Sequence, residues 1–305
     1  MQVRQPLDAR ATGTMIALCL IWGVQQVAIK GVADQVSPLW QVAMRSGVAA
    51  VCVWLFMRWQ REPMRLADGI WRAGLLVGVM FALEFLLLAE GLRLTSASHM
   101  AVFLYTAPIF AALGLQLALP EERLAALQWV GVALTFSGVA VAFLLKEGSA
   151  EAHLRAMLIG DALGLAAGFV WGATTVVVRC SVLATAPASH TLFYQLASGF
   201  VLLTLVAGLT GDRQFAPQAS GWLSMAFQSL VVTFGSYLIW FTLLRRYLAS
   251  RLGVLSFLTP VFGVMLGAWW LHEPLQPGFI GGALLILAGI VIVSGYGWLA
   301  QRRRR

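Results

Sequence analysis

Charge is scarce in this chain. Asp, Glu, Lys and Arg make up only 11% of its 305 residues, against 60% hydrophobic, and the mean hydropathy is +0.82. A soluble domain carries more than twice that share of charge, so water is excluded as the main solvent. No stretch is long and polar enough to form a soluble domain. Cysteine is nearly absent. Cys19, Cys52 and Cys180 fall inside apolar runs, without metal-ligand spacing or a pairing pattern, and read as small apolar fillers. No G-x-x-x-x-G-K-[ST] loop occurs, which excludes nucleotide hydrolysis by a Walker mechanism. The four histidines, His99, His153, His190 and His272, are scattered. No metal and no cofactor is expected from this residue set.

What is present is a series of apolar runs of about 20 residues, the length that crosses a bilayer. Ten are read, at about 12–32, 37–57, 71–93, 97–118, 124–145, 157–181, 188–210, 219–244, 250–271 and 275–299. The expected fold class is therefore an all-α integral membrane protein with ten transmembrane helices. The first run lacks a small-residue cleavage site and is read as a retained helix.

Much of the chain is written twice. Ala97-Ser98, Pro108 and Glu121 recur 152 residues later as Ala249-Ser250, Pro260 and Glu273. Gly131 and Gly138 recur after 151, as Gly282 and Gly289. Trp22-Gly23 and Lys30 recur after 149, as Trp171-Gly172 and Arg179. The pattern divides the chain into two five-helix units, residues 1–147 and 156–299, with a basic tail at 300–305. Five is odd, so the second copy enters the membrane from the opposite face. An inverted repeat of this kind builds two alternating gates around a central site.

Lys and Arg set the orientation. One side holds Arg4, Arg10, Arg58, Arg61, Arg65, Arg72, Arg123, Arg179, Arg245, Arg246, Arg251 and Arg302 to Arg305. The other holds Lys30, Arg93, Lys146, Arg155 and Arg213. Fifteen against five places both termini in the cytoplasm. The pI near 10.1 follows from this topology; it gives no support for nucleic-acid binding, and the terminal arginines read as a topology anchor against the lipid bilayer.

Ile21-Trp22-Gly23 with Lys30, Arg45 in the second helix, Ala97-Ser98 ahead of Pro108, and the Glu121/Gly131/Gly138 tail resemble the EamA repeat of the drug/metabolite transporter superfamily. The resemblance covers nearly the whole chain, in both halves. It implies a ten-helix secondary carrier of the bacterial inner membrane that exports amino acids, other metabolites or drugs. It also implies a cavity lined mainly by helices 1, 3, 4, 6, 8 and 9. The second half departs from the first, with Gln195 or Tyr194 near the place of Arg45 and Ser236 in the place of Glu84.

Ionisable groups at membrane depth need a partner, a wet cavity or a function. Glu84 lies roughly 13 Å from the outer end of its helix and Arg45 roughly 12 Å from the outer end of its own, at 1.5 Å per residue. They can form a packing pair. Alternatively, Glu84 binds a substrate amine or takes up a proton. Trp22, Gln26 and Lys30 share one helical stripe, with Gln25 beside it; Trp171, Thr175 and Arg179 form the matching stripe. An aromatic with an amide or hydroxyl one turn away suits an amphipathic small molecule, and interhelical packing is the plainer reading. Lys30 reads as a snorkelling anchor or a gating group, with Glu90 as its possible partner. Asp161 reads as a cap or rim pair in the wet interface, and His99 as a similar group.

Pro108 and Pro260 are expected mid-helix, freeing the carbonyls of Leu104 and Ser256. Tyr105, Tyr237, Trp240 and Phe241 are possible wall residues. Substrate contacts are thus expected from Trp22, Gln25, Gln26, Glu84, Tyr105, Trp171, Thr175 and Tyr237. Coupling or gating is expected from Glu84, Arg45, Lys30, Glu90, Pro108 and Pro260. The function so indicated is secondary export of amino acids or amines by alternating access, with protons as a possible coupling ion. Multidrug efflux of cationic compounds is the nearest alternative, and an intramembrane transferase is the alternative of another class. The chain is a monomer or homodimer in this reading.

Overall fold

A computed structural model describes residues 9–62, 69–118, 124–144, 151–246, 255–256 and 258–302. Leu119, Pro120, Glu121, Ala249, Ser250 and Arg251 of the repeated motif lie outside the described residues. So do Arg4, Arg65, Arg123, Lys146 and Arg303 to Arg305 of the charge asymmetry, and the side chain of Phe241. The described chain is helical, with one isolated antiparallel bridge between Val36 and Phe215.

The helices are α1 (Ala9–Gly31), α2 (Pro38–Trp59), α3 (Ile70–Leu94), α4 (Ala97–Leu104), α5 (Ala107–Ala118), α6 (Ala126–Leu144), α7 (Glu151–Arg179), α8 (Ala188–Leu209), α9 (Ala219–Ala226), α10 (Tyr237–Arg246), α11 (Leu258–Trp270) and α12 (Pro277–Arg302). A wide π-helical stretch, Phe227–Ser236, joins α9 to α10 without a break. Among the described residues, seven helical segments are long and apolar enough to cross a membrane, and three shorter apolar ones accompany them.

Local sequence sets several boundaries. Ser37 accepts the Trp40 N–H at 3.3 Å and Pro38 opens α2, where its missing donor is not needed. Ser96 caps α4 through the His99 N–H. The fourth span is broken at Tyr105 and Thr106, and this changes the role expected of the prolines. Pro108 stands in the first turn of α5 and Pro260 in the first turn of α11, so neither is mid-helix. The two carbonyls are not open either. Leu104 O lies against Gly168 of α7, and Ser256 O accepts the Thr259 N–H at 3.0 Å. Cys180, expected inside a helix, lies exposed just past the end of α7.

The interior is mainly apolar but holds a set of buried polar groups. Gln41, Arg45, Ser46, Asp161, Gln228 and Thr233 are fully buried, while Trp59, Leu117, Leu209, Trp269 and Leu284 stand on the outside. In water such a surface would aggregate; in lipid tails it is the solvated face.

The repeated residues meet one another in space. A methyl group on Gly23 would lie 2.8 Å from Phe262 Cβ and 3.0 Å from the Gly263 nitrogen. On Gly172 it would lie 2.7 Å from Phe110 Cβ and 2.9 Å from the Ala111 nitrogen. The Trp-Gly motif of each half therefore seats its glycine on the Pro-x-Phe turn of the other half, α1 against α11 and α7 against α5. Only glycine lets the backbones approach this closely. The glycines of α6 and α12 do the same in antiparallel sense. Gly138 faces the Gly282 carbonyl and Gly289 faces the Gly131 carbonyl. Shifting one contact by the repeat offset of 151 yields the other, so this pair of helices sits on an approximate two-fold axis.

Candidate functional site

Two polar constellations occupy the interior, one near the middle of the helices and one at an end. The middle one gathers side chains from seven helices. The Trp22 indole N–H of α1 donates to Ser236 Oγ at 2.8 Å, and Ser236 in turn donates to Val232 O. Ser236 closes the π-helical stretch, and such wide turns recur at functional positions because they displace one residue from the regular ladder. Trp22 also packs edge-on against Trp240, with centroids 5.6 Å apart. Tyr105 makes the matching contact with Trp171 at 5.3 Å. Thr259 of α11 stands close to Tyr105 and to Cys19 of α1, and its hydroxyl is buried without a hydrogen-bond partner among the described residues.

Glu84 of α3 is buried within electrostatic reach of Arg45, Tyr105 and Tyr237. Arg45 of α2 has no exposed surface, and its guanidinium lies 4.6 Å from the centre of the Phe85 ring. The two ions do not close the expected pair: no ion-pair contact joins Arg45 and Glu84 among the described residues. Gln25 and Gln26 are both buried on α1, and Gln26 Oε1 has no hydrogen-bond partner among the described residues. Thr175 turns its hydroxyl back onto the Trp171 carbonyl at 3.2 Å, so it offers the site no free donor. The fold thus brings together Trp22, Glu84, Tyr105, Trp171, Tyr237 and Arg45.

The second constellation lies toward one end of the bundle, where α1, α3, α4, α7 and the segment after α11 come together. Glu273, just after α11, sits on the N-terminus of α4. Its carboxylate accepts the Ala97 N–H at 2.6 Å, the Ser98 N–H at 2.9 Å and the Ser98 hydroxyl at 2.6 Å. A carboxylate here satisfies amides that have no helical acceptor and meets the positive end of the helix dipole. Lys30 of α1 donates to the carbonyls of Leu92 and Thr95, within electrostatic reach of Glu273. The expected Lys30–Glu90 contact is absent, because Glu90 pairs with Arg93 on the surface at 3.4 Å.

Asp161 also departs from expectation. Helix α7 begins at Glu151, so Asp161 lies almost three turns inside it and is fully buried. It accepts from Thr95 Oγ1, and His99 Nδ1 stands 2.9 Å from its Oδ2. The His99 ring stacks on Phe279 with centroids 3.9 Å apart. Beside this network the connection after α1 is clasped to the one after α8. Ser37 N–H donates to Gln214 O, Ala216 N–H to Gln35 O, and the Gln214 amide to the carbonyls of Ala33 and Asp34. This end of the bundle is closed by hydrogen bonds.

The sequence profile of the EamA-like transporter family matches residues 10–144 and 158–295, once in each half. The chain belongs to the EamA-like transporter family. Among its relatives, a probable amino-acid metabolite efflux pump of Escherichia coli is 30% identical over 300 residues, covering 95% of this chain and 97% of that protein. A probable amino-acid metabolite efflux pump of Salmonella typhimurium is 28% identical, covering 95% and 96%. The uncharacterised transporter YoaV of Bacillus subtilis is 25% identical, covering 90% and 94%. A solved crystal structure at 20% identity superposes with a TM-score of 0.67 over 98% of this chain and 100% of its own, which shows a shared fold. As an EamA-like transporter the chain is a multi-pass membrane protein that moves a small molecule.

Glu273, Ser236 and Thr259 were not among the site residues expected from sequence. For Glu273 a signal existed, since it closes the repeated motif at the place of Glu121. For Ser236 the signal was its place opposite Glu84 in the repeat; Thr259 was passed over because single hydroxyls in apolar runs usually bond their own helix.

Proposed function

We propose that this EamA-like transporter is a secondary carrier exporting small amphipathic metabolites, amino acids foremost, by alternating access across the cell inner membrane. The observation that carries the reading is the middle constellation. A buried carboxylate, a buried guanidinium and two edge-packed aromatic pairs stand where the two halves meet. Such a mixture suits a molecule with both charged and apolar parts. The names of the relatives from Escherichia coli and Salmonella typhimurium point the same way.

In this reading the ten spans comprise the seven long segments plus α6, α11 and α12, in two inverted units at residues 1–147 and 156–299. The basic tail at 300–305 and both termini are cytoplasmic. The Lys30–Glu273–Asp161 end is then the outer face, and the structure is the outward-closed state. A multidrug carrier for cations has the carboxylate and aromatics in its favour, but Arg45 beside Glu84 disfavours a purely cationic load.

Protons drive the cycle through Glu84. The test is uptake of a panel of radiolabelled amino acids into proteoliposomes under an imposed pH gradient. The wild type responds to the gradient, whereas Glu84→Gln loses that response. Full pH-dependent transport by Glu84→Gln refutes coupling through this carboxyl. Failure to move any amino acid or amine refutes the substrate class.

A further inference from the structure

Among the described residues, Arg45 has the most buried side-chain atoms without a hydrogen-bond partner. Its Nε, Nη1 and Nη2 are all buried, and none has a hydrogen-bond acceptor among the described residues. One face of the guanidinium is taken by the Phe85 ring; Tyr237 and Glu84 are its remaining polar neighbours by charge. A guanidinium carries five N–H donors in a planar fork, and burying them without acceptors at membrane depth is costly. A packing role would be met by the ring contact alone, with an aliphatic chain in place of the ion. The fork instead lacks a planar anionic partner, which is what a carboxylate supplies in two parallel hydrogen bonds.

Resting on the carrier reading above, we infer that Arg45 is the anchor for the substrate's carboxylate, so that the site selects α-amino acids over amines. One molecule then spans both ions. Its carboxylate lies in the Arg45 fork and its ammonium faces Glu84. An apolar side chain enters the walls made by Tyr105, Trp171, Trp22 and Trp240. Arg45 and Glu84 feel each other's charge without touching, and the Arg45 fork gains a hydrogen-bonded partner only when the substrate is bound. This couples occupancy to the stability of the closed centre, because an unpaired buried ion disfavours the empty closed state.

Three probes sharing one ring separate the alternatives: phenylalanine, phenethylamine and 3-phenylpropanoate, each followed by counterflow into proteoliposomes holding the full chain. The wild type prefers phenylalanine over phenethylamine by about 10- to 100-fold, the worth of a charge-assisted bidentate pair. Arg45→Met brings that preference to about one by lowering phenylalanine transport and sparing the amine, and Arg45→Lys falls between. Because Arg45→Met deletes an uncompensated charge, its ligand-free melting temperature equals or exceeds that of the wild type. Equal wild-type rates for phenylalanine and phenethylamine overturn the anchor while leaving the carrier reading intact. A parallel loss of all three probes in Arg45→Met, with a lowered melting temperature, makes Arg45 structural and likewise overturns it. A wild type that moves none of the probes and no amino acid overturns the carrier reading itself.

Discussion

Replacing Glu273 by Gln should open the closed end of the bundle. The carboxylate holds α4 through two backbone amides and one hydroxyl, at 2.6, 2.9 and 2.6 Å. Glutamine keeps a single acceptor oxygen, and its NH2 group must face at least one of those donors. The change removes the negative charge from the helix N-terminus and leaves a donor facing a donor. A lost charge-assisted bond of this type costs about 2 kcal/mol. If the whole cost falls on the closed state, the balance between closed and open shifts by about 30-fold. Lys30, within reach of Glu273, loses an opposing charge in the same step. The assay is the rate at which a membrane-impermeant maleimide labels a Gln26→Cys reporter from outside, in a background with Cys19, Cys52 and Cys180 replaced. Gln26 is buried on α1 beside the middle constellation, so labelling reports an opened path. Labelling should accelerate at least about tenfold in Glu273→Gln. An unchanged rate in a folded variant would mean that Glu273 caps a helix and gates nothing.

Two further outcomes concern the scaffold. Asp161→Asn should lower the melting temperature in detergent, because the buried carboxylate that meets His99 at 2.9 Å and accepts from Thr95 is lost, at a cost of about 1–3 kcal/mol; an unaltered midpoint would show that these contacts do not hold the helices together. Gly23→Leu and Gly172→Leu should each destabilise the fold by about 1–3 kcal/mol through overpacking. Gly13→Leu, with open space around its Cβ position, should not, and equal melting of all three would contradict the close approach of the two Trp-Gly motifs.

Membrane residence, the helical class and the duplication were legible from sequence because each is carried by local or periodic signals. Twenty apolar residues exceed what a small core can bury, and a fixed offset between motifs needs no coordinates to be seen. The main ingredients of the middle site were legible as well. Glu84, Arg45, Trp22, Trp171, Tyr105 and Tyr237 are costly or conspicuous in an apolar run.

Only tertiary structure decided what each one touches. Lys30 turned to the carbonyls of Leu92 and Thr95 and left Glu90 to Arg93. Asp161 lay inside α7 because that helix begins at Glu151. The prolines stood after breaks, since a backbone without an amide is tolerated best in a first turn. Glu273 found α4 across 175 residues of chain. Sequence records which groups must be satisfied, whereas partners far apart along the chain are chosen by the packing of helices, and spacing within one helix carries no trace of that choice.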